Sequence, residues 1–183
     1  MSGTIERTLI HKGAKFDFER VTVTRGDGRV LQREVVRHPG AVCVLGVLGD
    51  GRIVMIRNFR IALEAWSWEL PAGTLEAGED PAHCAGRELE EETGYRAESI
   101  VPLGTFHTTP GMTDEVMHAF AATGLVKTAQ DLEEDERIEV REMTVGEAYA
   151  LMDAGDLRDG KSMLTLALAA RRGIIAEGGR EPG

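Results

Sequence analysis

The sequence predicts an α/β fold, a mixed β-sheet flanked by helices and preceded by a small antiparallel β piece. Three observations predict it. Residues 41–48, Ala-Val-Cys-Val-Leu-Gly-Val-Leu, form a nearly unbroken apolar run, the mark of a strand buried on both faces. Residues 81–93 lie between a helix start signal, Asp80-Pro81, and a stop signal, Gly94. Residues 7–37 are rich in β-formers set around Arg25-Gly-Asp-Gly28, a hairpin signal.

In order along the chain, Phe16, Phe18 and residues 21–23 mark strands before that hairpin, and residues 30–36 mark the strand after it. About 38 residues cannot bury a core alone, so this piece needs a partner, either the rest of its chain or a second copy. His38-Pro39-Gly40 marks a boundary. The expected division is a β subdomain over 1–38, a main domain over 39–177 and a disordered tail over 178–183. The buried strand at 41–48 turns at Gly49-Asp50-Gly51 and returns over 52–56. Trp66, Trp68 and Leu70 alternate, which puts both indoles on one face of a strand.

Asp80 suits an N-cap, Pro81 the first helical position and Gly94 the left-handed residue that ends the helix. Strands follow over 96–104 and 116–122, then an acidic loop over 127–137 and a strand over 138–143. Thr144-Val-Gly-Glu147 is a capping box for a helix running to Ala154 and closed by Gly155. A last helix is expected from about 162 to 176, with Met163, Leu166, Leu168 and Ala170 as its apolar content. No internal repeat is present.

Composition narrows the function. The 183 residues suit one domain with a sizeable core. A formal net charge of −10 disfavours nucleic-acid backbones and acidic membranes as partners. Cys43 and Cys84 read as buried or free thiols rather than a disulfide pair. No histidine pair has zinc-like spacing with a cysteine. The first residues lack a basic region followed by an apolar one, and the run at 41–48 is too short to span a bilayer. A cytoplasmic protein is the expectation.

The chemistry concentrates on the helix at 81–93. At about 100° per residue, Ala82, Ala85, Gly86 and Leu89 share an apolar side. Glu88, Glu91 and Glu92 cluster on the adjoining side, whereas Glu90 points elsewhere. Three hard oxygen ligands on one rigid face suit Mg²⁺ or Mn²⁺. A glutamate run alone is more often a solvated face. The full pattern is narrower: Gly73, five residues, Glu79, seven residues, then Arg87-Glu-Leu-Glu-Glu-Glu-Thr-Gly94-Tyr95.

This stretch resembles the signature of the Nudix hydrolases, whose fold is an α/β/α sandwich around a mixed sheet. The resemblance implies hydrolysis of a diphosphate bond with Mg²⁺, Mn²⁺ being a possible substitute. It implies Glu88 and Glu92 as principal metal ligands, with the main-chain carbonyl of Ala72 beside them, and Glu91 binding or orienting a second metal. Gly73, Glu79, Arg87 and Gly94 are then structural, with Glu79 and Arg87 an ion pair tying loop to helix. The general base is expected on the acidic loop, with Glu136 favoured over Glu134 and Glu91 as the fallback. A merely solvated acidic loop is the competing reading.

Other segments narrow the substrate. Ile56-Arg57-Asn-Phe59-Arg60 followed by Glu69-Leu-Pro-Ala-Gly73 is similar to the segment before the motif in ADP-ribose and nucleoside-diphosphate-sugar pyrophosphatases. Pro110, Asp114-Glu115 and Arg158-Asp-Gly-Lys-Ser162 are similar to that subfamily as well. The resemblance implies cleavage of ADP-ribose to AMP and ribose 5-phosphate. It also implies a homodimer that exchanges the N-terminal strands. Arg60 is expected on a phosphate or ribose, Arg37 on the terminal ribose, and Thr74 and Pro110 at the substrate; either arginine could instead form a surface ion pair. Two departures stand out. Asn58-Phe59 replaces the usual Gln-Tyr or Gln-Phe, and both tryptophans come late. Phe16, Phe18, Trp66 and Trp68 are candidates for the base platform, with core packing the favoured reading for all four. Another nucleoside diphosphate sugar such as GDP-mannose is the alternative substrate, and a non-catalytic nucleotide-binding regulator the alternative of another class.

Overall fold

The computed structural model describes residues 3–134 and 136–176, and the tail expected over 178–183 lies outside them. The chain opens with three antiparallel strands, β1 (Gly3–Lys12), β2 (Asp17–Arg25) and β3 (Val30–Arg37), in the order β1-β2-β3. The hairpin between β2 and β3 closes as its residues predict. Arg25 N donates to Arg29 O at 2.8 Å, and Gly28 takes φ +81°, which favours glycine.

The main sheet contains β4 (Ala41–Val47), β5 (Ile53–Arg60), β6 (Ala65–Glu69), β7 (Ala72–Thr74), β9 (Ser99–His107), β10 (Val116–Thr123) and β12 (Ile138–Met143). Two-residue strands β8 (Tyr95–Arg96) and β11 (Val126–Lys127) pair apart from it. The order is β12-β5-β4-β10-β9, with β6 on β5 and β7 on β4. Only β4 and β10 pair in parallel among the described strands, so the sheet is mixed.

Helices cover both faces. On one side α1 (Pro81–Thr93) packs Cys84, Ala85 and Leu89 against Val42, Val44, Phe120 and Ala122. On the other, α2 (Val145–Ala154) and α3 (Gly160–Arg171) meet Cys43, Leu45, Ile53, Met55 and Leu103 through Ala148, Leu166 and Ala169. Alternate residues of β4 therefore enter different cores, which is why its sequence is apolar throughout. Full burial of a side chain such as Leu89 stabilises by roughly 2 kcal/mol. Burial also pushes both thiols, Cys43 and Cys84, up to about 12, so neither is a reactive thiolate.

Several boundaries differ from the sequence reading. β1 starts at Gly3 rather than residue 7, and β5 continues to Arg60 because β6 pairs along its whole second half. β9 runs to His107, guided by its pairing with β10. α3 begins at Gly160, since Asp159 caps it by accepting from Ser162 N at 3.1 Å. It ends at Arg171, ahead of Gly173 at φ +68°, rather than reaching 176.

Core packing is not the fate of three of the four aromatic candidates. Phe16, Phe18 and Trp66 are 52%, 37% and 42% exposed, whereas Trp68 is half-buried against the core. Arg57 lies 5.4 Å over Trp66 and 5.5 Å over Trp68, so the two indoles do share a face. Among the described residues no helix is long and apolar enough to cross a membrane.

Candidate active site

The site is built on α1 and on β7, which runs beside β4. Asp80 caps α1 by accepting from Ala82 N (3.0 Å) and His83 N (3.1 Å), and Gly94 ends it at φ +67°. With Ala85 and Leu89 fixed in the core, Glu88 and Glu92 are forced toward β7. There a Cβ on Gly73 would run into the Glu88 carboxylate, so the glycine exists to let that carboxylate approach the backbone. Glu92 is buried and accepts from Ala72 N at 2.9 Å. Ala72, whose carbonyl is the expected ligand, thus meets Glu92 through its amide.

A cleft of about 570 Å³ opens over these residues. Ala72, Gly73, Thr74, Arg87, Glu88 and Glu92 line it from the motif side. Arg60 from the end of β5 and Glu133 and Glu136 from the acidic loop line it as well. Burial pushes Glu92 up to about 8; the Ala72 N–H opposes this, and the charges of Glu88 and Glu136 add to it. Glu88 is also raised, by burial first, with Arg87 opposing and Glu91 and Glu136 reinforcing.

Arg87 reaches further than the expected pair. Its Nε and Nη2 donate to Glu79 at 3.1 and 3.2 Å, and its guanidinium holds the Glu79 carboxyl down at about 2. Its Nη1 stands 2.9 Å from both Glu88 Oε1 and Glu91 Oε2. Glu91, expected to share a patch with Glu88 and Glu92, is drawn onto Arg87 and is not among the residues lining the cleft. Glu90 leaves the acidic face as expected, held by Arg96 at 2.7 and 2.9 Å.

Comparison with known proteins now decides the family. The NUDIX domain model matches residues 37–166. The chain belongs to the Nudix family. It is 42% identical over 161 residues to an ADP-ribose pyrophosphatase of Bacillus subtilis, covering 87% of each chain. It is 40% identical over 165 residues to a methanol dehydrogenase activator of Bacillus methanolicus, covering 89% of each. A crystal structure of an ADP compounds hydrolase superposes with a TM-score of 0.81 over 94% of each chain at 21% identity, which shows the shared fold.

The Nudix sandwich separates the remaining candidates. Glu134 is exposed and is not among the cleft-lining residues. Pro110 is exposed at the tip of the segment between β9 and β10, also away from the cleft lining. Arg37 lies in an adjoining hollow with Phe16 and His38, whose rings stack at 6.1 Å; Ala14, Lys15 and Pro39 border both spaces. Its guanidinium pairs with Asp114 and stands 3.8 Å from Glu19, the ion-pair alternative.

Two Nudix-chain residues given no role by the sequence reading belong beside the site. Glu69 is 2% exposed and bonds Arg60 in bidentate fashion, while Lys161 of α3 reaches the same carboxylate. Both lie in segments that resemble the subfamily, and that resemblance was the available signal.

Members of the family generally use divalent metal ions. Among the described residues, no three histidine, cysteine or acidic side chains form a ready ligand group. The donor chemistry nevertheless fits a hard cation. Glu88, Glu92 and Glu136 line one cleft, the first two raised by burial and by neighbouring carboxylates, and all offer oxygen.

Proposed function

We propose that the protein is a Mg²⁺-dependent Nudix pyrophosphatase that hydrolyses ADP-ribose to AMP and ribose 5-phosphate. The observation that carries this reading is that one cleft is lined by the carboxylates Glu88, Glu92 and Glu136 together with Arg60. Likeness to the Bacillus subtilis pyrophosphatase favours ADP-ribose as the substrate. Glu88 and Glu92 would hold the ion, and Glu91 would have to leave Arg87 to bind or orient a second one. When bound, Mg²⁺ neutralises phosphate charge as the transition state forms.

The chain's own groups supply the rest. Arg60 grips phosphate oxygens through its donor fork. Thr74 stands at the backbone edge that the substrate passes. Glu136 accepts a proton from the attacking water while the water oxygen bonds to phosphorus. The bridging P–O bond breaks, and the departing phosphate oxygen keeps its electron pair. Phe16 and Arg37 in the adjoining hollow are placed to meet the far end of the substrate.

A panel of nucleoside diphosphate derivatives with Mg²⁺ tests this reading. ADP-ribose is expected to give the highest kcat/KM, with Mn²⁺ also supporting turnover. GDP-mannose or another sugar nucleotide ranking first would move the substrate but keep the chemistry. Absence of any turnover would leave the nucleotide-binding regulator.

The N-terminal strands serve a homodimer in this proposal, residues 1–38 acting as the dimerising subdomain and 39–177 as the hydrolase domain. Ile5, Leu9, Val30 and Leu31 are 66%, 52%, 56% and 42% exposed, apolar side chains that a second copy could cover. Sedimentation at micromolar concentration is expected to show a dimer; a monomer would overturn that assignment.

A further inference from the structure

Beneath Arg60 lies a chain of alternating charges that the hydrolytic reading does not use. Arg60 Nε donates to Glu69 Oε1 at 2.8 Å and Nη2 to Oε2 at 2.5 Å. Lys161 Nζ donates to the same Oε2 at 2.5 Å and stands 2.9 Å from Asp159 Oδ2. Side-chain exposure is lowest at Glu69 in the middle of the chain, 3%, and rises to 39% at Arg60 on the cleft side and to 15% and 18% at Lys161 and Asp159 on the other. The end away from Arg60 is anchored. Asp159 caps α3 through Ser162 N and Oγ, and Leu70 N donates to Ser162 Oγ at 2.7 Å.

Such a buried chain contributes little to stability, because desolvating the ions cancels most of their attraction. Its consequence is electrostatic and geometric. Against the burial that would raise it, Arg60 and Lys161 hold Glu69 ionised at about 2. Glu69 takes one edge of the Arg60 guanidinium and leaves Nη1 without a hydrogen-bond partner among the described residues. A lone Glu69–Arg60 pair would present no net charge to a phosphate. Lys161 shares the Glu69 carboxylate and so weakens its hold on the Arg60 charge, while Asp159 in turn pairs with Lys161.

We infer that Lys161, acting through Glu69, is a positioning residue that fixes and charges Arg60 for the substrate diphosphate. This rests on the pyrophosphatase reading, but not on which sugar nucleotide is cleaved. Lys161 touches no substrate; it determines where the guanidinium stands and how strongly it attracts phosphate.

The test is a double-mutant cycle on the intact protein, run on whichever panel member wild type turns over best. Lys161→Met is expected to lower kcat/KM about 30-fold in the wild-type background and less than about threefold in Arg60→Ala. Most of the loss should appear in KM. Lys161→Arg, which keeps the charge, is expected to recover most of it. If Lys161→Met does not fold, Glu69→Gln carries the same cycle from the other partner. Equal losses in both backgrounds, or a fall in melting temperature with kcat/KM unchanged, would overturn the inference. Turnover of a substrate other than ADP-ribose overturns only the substrate assignment, whereas a wild-type protein that cleaves nothing overturns both.

Discussion

Glu92→Gln is expected to abolish turnover, by at least about 10³-fold in kcat, while the protein stays folded and, without metal, gains stability at alkaline pH. The kinetic part follows from charge. Glu92 is one of the two carboxylates held against β7, and glutamine offers a divalent ion a neutral oxygen in place of a full negative charge. The fold survives because the amide oxygen of glutamine can still accept from Ala72 N, the contact Glu92 makes at 2.9 Å.

The stability part follows from the raised carboxyl. Glu92 sits near 8 in the folded chain, pushed up by burial and by Glu88 and Glu136 against the pull of the Ala72 N–H. In the unfolded chain an ordinary glutamate titrates near about 4.3. Between those values the folded state binds more protons than the unfolded state, so stability falls as pH rises. Above about 8 both states are ionised and the penalty is constant, a few kcal/mol. Glutamine carries no such penalty. With a chelator present, melting temperature against pH should therefore decline more steeply from pH 5 to 8.5 in wild type than in the variant. Parallel curves would mean that Glu92 does not hold a proton in the metal-free cleft. Substantial residual turnover would remove its ligand role.

The reach of the sequence depended on the range of the interactions involved. α1 was legible because Asp80, Pro81 and Gly94 act within a turn of themselves, and so was α2, whose capping box joins Thr144 and Glu147. The double burial of β4 was legible because two helix layers demand apolar residues at every position. The two-residue strands β8 and β11 were not, since so short a run has no period to detect. Helical spacing gathered Glu88, Glu91 and Glu92 correctly as Cβ positions. It omitted that Arg87 is four residues from Glu91, the same spacing, and a cation there wins the contact. Glu69 and Lys161 are 92 residues apart in sequence and meet only because the fold brings the first turn of α3 to the end of β6.

Glu136→Gln is expected to lower kcat about 10³-fold with KM nearly unchanged, and Glu134→Gln to change kcat less than about threefold. The two glutamates stand two residues apart on one acidic loop, so sequence position alone cannot separate them. Placement does. Glu136 lines the cleft with Glu88 and Glu92, and its charge contributes to raising both. Its side chain is also braced: Glu136 Oε2 accepts from Glu133 N at 3.0 Å, and Glu136 N donates to Glu133 O at 3.0 Å. A base braced in this way meets the water without first being ordered, which is where a general base gains its rate. Glu134 is exposed and is not among the residues lining the cleft. Glu91, the remaining candidate, is drawn onto Arg87 Nη1 at 2.9 Å and is not among the residues lining the cleft. A larger loss for Glu134→Gln than for Glu136→Gln would reverse the assignment, because the loop would then have to turn over its far side when substrate binds.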